Sequence, residues 1–110
     1  MKRKSTIVRD AEAQAFIEDY LRVENYVDAL DVEFHEKFTA KFGGKRHEVN
    51  WGAETNALAM TLLRRMYDMG ILERDIVTLD TGWQPGFPRW VYGYSLKGTT
   101  ARILSGFTKN

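Results

Sequence analysis

Two groups of residues in this sequence have types and spacings that offer chemistry. His35-Glu36 and His47-Glu48 have the composition of a zinc-site fragment. Each lacks a second histidine one helical turn further on, the spacing that would put two imidazoles on one helix face. With two histidines and no cysteine, the donor set for a metal is poor, and no metal or other cofactor is expected. The carboxylates do not converge on a His, Ser or Lys in a catalytic pattern. The glycine-rich phosphate loop, the dinucleotide fingerprint and the nucleophile elbow are all absent, so catalysis is not expected. The second group is Thr55, Asn56, Met60, Arg64 and Arg65. Asparagine can pair bidentately with adenine, arginine reaches guanine or phosphate, and threonine bonds either a base or a phosphate. That is the chemistry of nucleic-acid reading. The plain alternative is that Thr55 or Asn56 caps a helix and the arginines are ordinary solvated charges.

The elements that must carry these residues follow from apolar spacing. In residues 10–24, Ala13, Phe16, Ile17, Tyr20 and Leu21 recur at helical intervals, and Glu18 precedes Arg22 by one turn. Asn25 ends this first helix. Val27, Leu30, Phe34 and Phe38 form one stripe of a second, started by Asp28 or Asp31 and ended before Gly43-Gly44; Tyr26-Val27 is alternatively a very short strand. The polar, glycine-led segment 43–50 reads as a connection. A third helix spans about 53–69, with Ala59, Leu62, Leu63 and Met66 inward, which turns the five candidate reading residues outward. Gly70 then supplies the left-handed residue of a Schellman stop, with Ile71 as its apolar contact.

Beyond Gly70 the period becomes alternating. Trp90, Tyr92, Tyr94 and Leu96 share one strand face, Val91, Gly93 and Ser95 the other, and residues 75–80 are the natural antiparallel partner. Between them, residues 81–88 hold two glycines and both prolines, a protruding loop. Residues 97–110 read as a tail or a short helix near 101–104. Trp51, beside Gly52, is a core plug or a stacking residue.

At 110 residues with 44% hydrophobic content, one domain with a modest core is expected. No run is long and apolar enough for a membrane span, and the basic opening is not followed by the apolar core of a signal peptide. An intracellular, cytoplasmic protein is therefore the expectation. The net charge of +1 conceals separated signs. Residues 1–9, a basic tail, carry four positive side chains; residues 10–36 carry nine carboxylates against Arg22 alone; from Lys37 onward eleven basic residues outnumber six acidic ones. One surface is suited to phosphate and another repels it, unless the acidic stretch is only a solvated face.

The order of helix two, connection, helix three, the Gly-Ile-Leu-Glu-Arg turn at 70–74 and a hairpin closing on Val-Tyr-Gly-Tyr-Ser-Leu at 91–96 resembles the winged helix-turn-helix superfamily, and the MarR-like regulators in particular. The resemblance covers roughly residues 27–96. It implies an α+β fold of three helices followed by a β-hairpin wing, over a domain of residues 10–96. It also implies a transcription regulator that binds double-stranded DNA, a homodimer, with the helix 53–69 in the major groove. Lys45, Arg46 and Arg89 would then meet backbone phosphates. Two features depart from the family. The connection 43–50 is longer than the usual turn, and the wing carries Trp83 and Phe87 but no basic residue before Arg89. Such an aromatic tip suits a protein partner, dimerisation or insertion between bases, so the alternative is a protein-interaction or inhibitor module using the acidic segment 10–36 or the wing 81–89.

Overall fold

The computed structural model describes residues 2–49, 53–79 and 89–99. Trp51, the loop carrying Trp83 and Phe87, and the helix expected near 101–104 lie outside the described residues.

The first helix, α1 (Lys2–Glu24), begins at Lys2 rather than Asp10, so the basic opening expected as a tail is helical backbone from its second residue. Ala13, Ile17 and Leu21 are its buried stripe. It ends where Asn25 adopts φ 68° while its N–H still bonds the Leu21 carbonyl at 2.9 Å, a left-handed conformation that asparagine tolerates. The chain then forms a two-residue strand, β1 (Val27–Asp28), which was one of the two readings of this stretch. Val27 is consequently buried in the sheet rather than on helix two. Asp28 Oδ1 accepts from Leu30 N at 2.8 Å, turning the chain, and Asp31 Oδ1 accepts from Phe34 N at 3.1 Å, capping α2 (Val32–Phe42).

Between α2 and α3 the structure departs from the sequence expectation. Residues 46–49, read as part of a connection, and residues 53–56, read as the first turn of the third helix, form an antiparallel hairpin, β2 (Arg46–Val49) with β3 (Ala53–Asn56), in which Arg46 pairs with Asn56 and Val49 with Ala53. The Arg46 guanidinium meets Glu54 at 2.8 Å diagonally across the ladder. Helix α3 (Ala57–Asp68) therefore starts at Ala57, not 53, and the two helices are joined by a hairpin instead of a short turn. Ala59, Leu62, Leu63 and Met66 are buried as their spacing requires. At the other end, Gly70 (φ +78°) donates to the Tyr67 carbonyl at 3.0 Å and Ile71 to the Met66 carbonyl at 2.9 Å, which is the Schellman pattern.

The hairpin that follows pairs β4 (Leu72–Thr78) with β5 (Trp90–Leu96), from Leu72 opposite Leu96 to Thr78 opposite Trp90. Its first strand begins at Leu72 and so includes Glu73 and Arg74, which had read as turn. β5 lies between β4 and β1 in a three-stranded antiparallel sheet. One core joins these layers: the α1 stripe, Phe34, Phe38 and Phe42 of α2, the α3 stripe, and Val27, Leu72 and Tyr94 of the sheet. Phe16 and Tyr20 pack against the α2 aromatics in tilted and edge-on pairs with centroids 5.2–6.5 Å apart. The α+β class is as expected.

Candidate nucleic-acid interface

Asn56 was expected on an outward reading surface, and the structure corrects this. It is fully buried, and its side-chain amide and backbone N–H are all bonded inside the protein. Its Oδ1 accepts from Ala59 N at 3.1 Å, capping α3, while Nδ2 donates to Thr39 Oγ1 and to the Gly43 carbonyl, both at 2.9 Å. Its backbone N–H donates to His35 Nδ1 at 3.0 Å, and His35 Nε2 donates in turn to the Ala29 carbonyl at 2.9 Å. His35 is thus a neutral imidazole with both nitrogens engaged, and burial holds its pKa below the ordinary value. Thr55, on β3, is also buried. Both residues precede α3 and are buried, so neither lies on its exposed side.

The remaining predicted residues divide by their partners. Arg46 is committed to Glu54. Lys45 is exposed, and its carbonyl accepts from Ala57 N at 2.8 Å, so it sits at the start of α3. Arg89 is exposed at the head of β5, where its carbonyl accepts from Leu79 N at 2.8 Å. Met60, Arg64 and Arg65 come together. With Thr61 and Asp68 of α3 and Arg74, Tyr92 and Tyr94 of the hairpin they line an open groove of about 770 Å³. Arg65 is partly neutralised there by Asp10 of α1 at 3.2 Å, whereas Arg64 and Arg74 have no carboxylate partner among the described residues.

Arg74 is the residue that sequence reasoning missed. Its guanidinium carbon lies 3.9 Å from the ring centroid of Tyr67 and equally 3.9 Å from that of Tyr92. A planar cation against two aromatic faces is held by cation–π attraction and loses few rotamers on binding a ligand. The available signal was the alternation of β5: Tyr92 and Tyr94 share a face, and Arg74 stands opposite Tyr94 once the ladder is extended to Leu72.

The charge around the groove contrasts with that between α1 and α2. There the Tyr20 hydroxyl is pushed up to about 12, first by burial and then by the carboxylates of Asp31, Glu33 and Glu24. The signs are only partly separated in space: Asp31, Glu33 and Glu24 act on Tyr20 with Lys37 over its ring, whereas the groove between α3 and β4 holds Arg64, Arg65 and Arg74 against Asp68 and the Asp10 partner of Arg65. Among the described residues no group of three or more His, Asp or Glu side chains is placed to hold a metal ion, and no helix is long and apolar enough to cross a membrane.

Fold and groove together define an α+β domain with a cationic, tyrosine-lined groove between a helix and a hairpin. Comparison of the chain with protein-family models, with curated proteins and with solved structures found no match.

Proposed function

We propose that this protein is a small double-stranded-DNA-binding domain of winged-helix type, acting as a regulator of transcription, with α3 entering the major groove and the β4–β5 hairpin lying alongside. The observation that carries this reading is the exposed side of α3. Arg64 projects there without a carboxylate partner among the described residues, in a groove that continues onto Arg74 of the hairpin. Phosphate contacts by Lys and Arg supply most sequence-independent affinity for DNA. The hairpin that follows α3 supports the superfamily reading, although a second hairpin stands between α2 and α3. The reading surface is now Met60, Thr61 and Arg64, with Lys45 and Arg89 left as peripheral phosphate contacts. Thr55 and Asn56 drop out of it.

The test is fluorescence anisotropy of a labelled random duplex at about 50 and about 200 mM salt, where several phosphate contacts lower the affinity by orders of magnitude. Steeply salt-dependent binding that weakens on Arg64→Ala is the expected result. Absence of binding at the lower salt would remove the reading.

A second reading rests on a different observation. Ile76 and Trp90 are 64% and 48% exposed, diagonal neighbours on the outer end of the hairpin face. Two large apolar side chains so exposed suit a protein partner or a second copy of the chain.

A further inference from the structure

We propose that Arg74, bracketed by Tyr67 and Tyr92, is a preformed seat for one phosphate group, at the base of the hairpin and not at its tip. The inference rests on the nucleic-acid reading above and assigns the phosphate to a nucleic-acid backbone.

The geometry of a guanidinium carries it. All five N–H donors lie in the plane of the group, and a ring packs against Arg74 at 3.9 Å in each of two contacts. The two rings lie against the guanidinium and one of its donors goes to the Tyr94 hydroxyl, which leaves the remaining donors of its edge for an oxyanion, a group an arginine fork fits bidentately. The brackets come from two elements, Tyr67 from α3 and Tyr92 from β5, so the position of Arg74 is set by how the helix packs on the hairpin. Arg64 lines the same groove from the helix side, next to Thr61, whose hydroxyl donates to the Ala57 carbonyl at 3.0 Å and keeps its oxygen free to accept. Arg65 contributes less, because Asp10 already neutralises it. Asp68 is the carboxylate in the lining, and it sets a limit of one seat rather than a long anionic track. A lysine could not replace Arg74, since an ammonium has neither the flat faces for two rings nor the fork.

The experiment uses the full chain and two probes. The first is a labelled random duplex titrated across about 50 to 200 mM salt. Arg74→Ala is expected to weaken binding equally for unrelated sequences and to reduce the slope of log affinity against log salt by about one, the signature of one lost phosphate contact. Arg74→Lys is expected to behave nearly like Arg74→Ala in affinity while keeping part of the slope. Tyr92→Leu, which leaves the charge but removes a bracket, is expected to weaken affinity several-fold with the slope unchanged. Melting curves establish that each variant is folded.

The second probe is inorganic pyrophosphate, followed by the Nε–H signal of Arg74 in nitrogen-15 NMR spectra. Duplex binding in which Arg74→Ala keeps the wild-type slope and affinity overturns the seat and leaves the DNA reading standing. No duplex binding, with a saturable pyrophosphate shift at Arg74, overturns the DNA reading and keeps the phosphate seat with a free phosphate ligand. If neither probe responds, both fall.

Discussion

At His35 the protein contains a pH dependence with a definite sign. Burial depresses the folded-state pKa below the ordinary 6.5, against smaller upward pulls from the Ala29 carbonyl hydrogen bond and Asp31. Protonation would place a hydrogen on Nδ1, where the Asn56 N–H already points. The unfolded chain therefore binds this proton more tightly than the folded one. Above about pH 6.5 both states hold a neutral ring and the stabilisation is complete; as pH falls below that value it is lost, until the folded-state pKa is reached. Urea unfolding at pH 7.5 and 5 should show wild type losing more stability than His35→Gln, which starts lower; an equal loss would place the titration elsewhere. Asn56 is the neighbouring test. Removing its side chain deletes a helix cap, about 1 kcal/mol, and strands the Gly43 carbonyl, about 1 kcal/mol or more, while the Thr39 hydroxyl loses a donor but keeps its bond to the His35 carbonyl. Asn56→Ala should therefore destabilise by about 2–4 kcal/mol in urea titration, and a loss under 1 kcal/mol would show that water replaces the network.

Individual elements owe their ends to single residues. Gly70 ends α3 at φ +78° with nothing within 4 Å of where a Cβ would stand, so Gly70→Ala tests backbone strain without a clash. The expected cost is about 1–2 kcal/mol, and Gly70→Asn should recover part of it. Equal stability of Ala and Gly here would mean that the terminus relaxes and the Schellman bonds are dispensable. Gly93 illustrates a different constraint: a Cβ there would lie 2.0 Å from the Tyr26 hydroxyl oxygen, because that ring lies across β5. Its alternation with Tyr92 and Tyr94 does not expose this face to solvent, since Val91, Gly93 and Ser95 are all buried. The β2–β3 hairpin positions α3 through Asn56, its last residue and the cap of the helix. Any reading of DNA by α3 thus depends on a hairpin that occupies the place of a short turn.

For the molecule as a whole, the arrangement of charge matters more than the total. A net +1 would be weak evidence for a DNA-binding protein, yet Arg64 and Arg74 share a groove while Asp31, Glu33 and Glu24 lie on the side of Tyr20. The exposed pair Ile76 and Trp90 bears on assembly. If it joins two copies, sedimentation should show a dimer that dissociates on Trp90→Ser with the fold intact, whereas a wild-type monomer at high concentration would leave the pair to a different partner.

Local patterns in the sequence determined the helical stripes of α1 and α3, the glycine stop, and the face shared by Tyr92, Tyr94 and Trp90, because each depends on residues a few positions apart. Only the tertiary structure decided that Asn56 is buried, since the groups that enclose it, His35, Thr39 and Gly43, lie far from it along the chain. The hairpin at 46–56 was hidden for a related reason: its strands are short and polar, and what defines them is pairing with each other and contact with α2. Arg74 looked like part of a charged turn until β5 paired beside it and brought Tyr92 against its face. Spacing determines which side of an element a residue occupies, and what covers that side is settled by packing between distant segments.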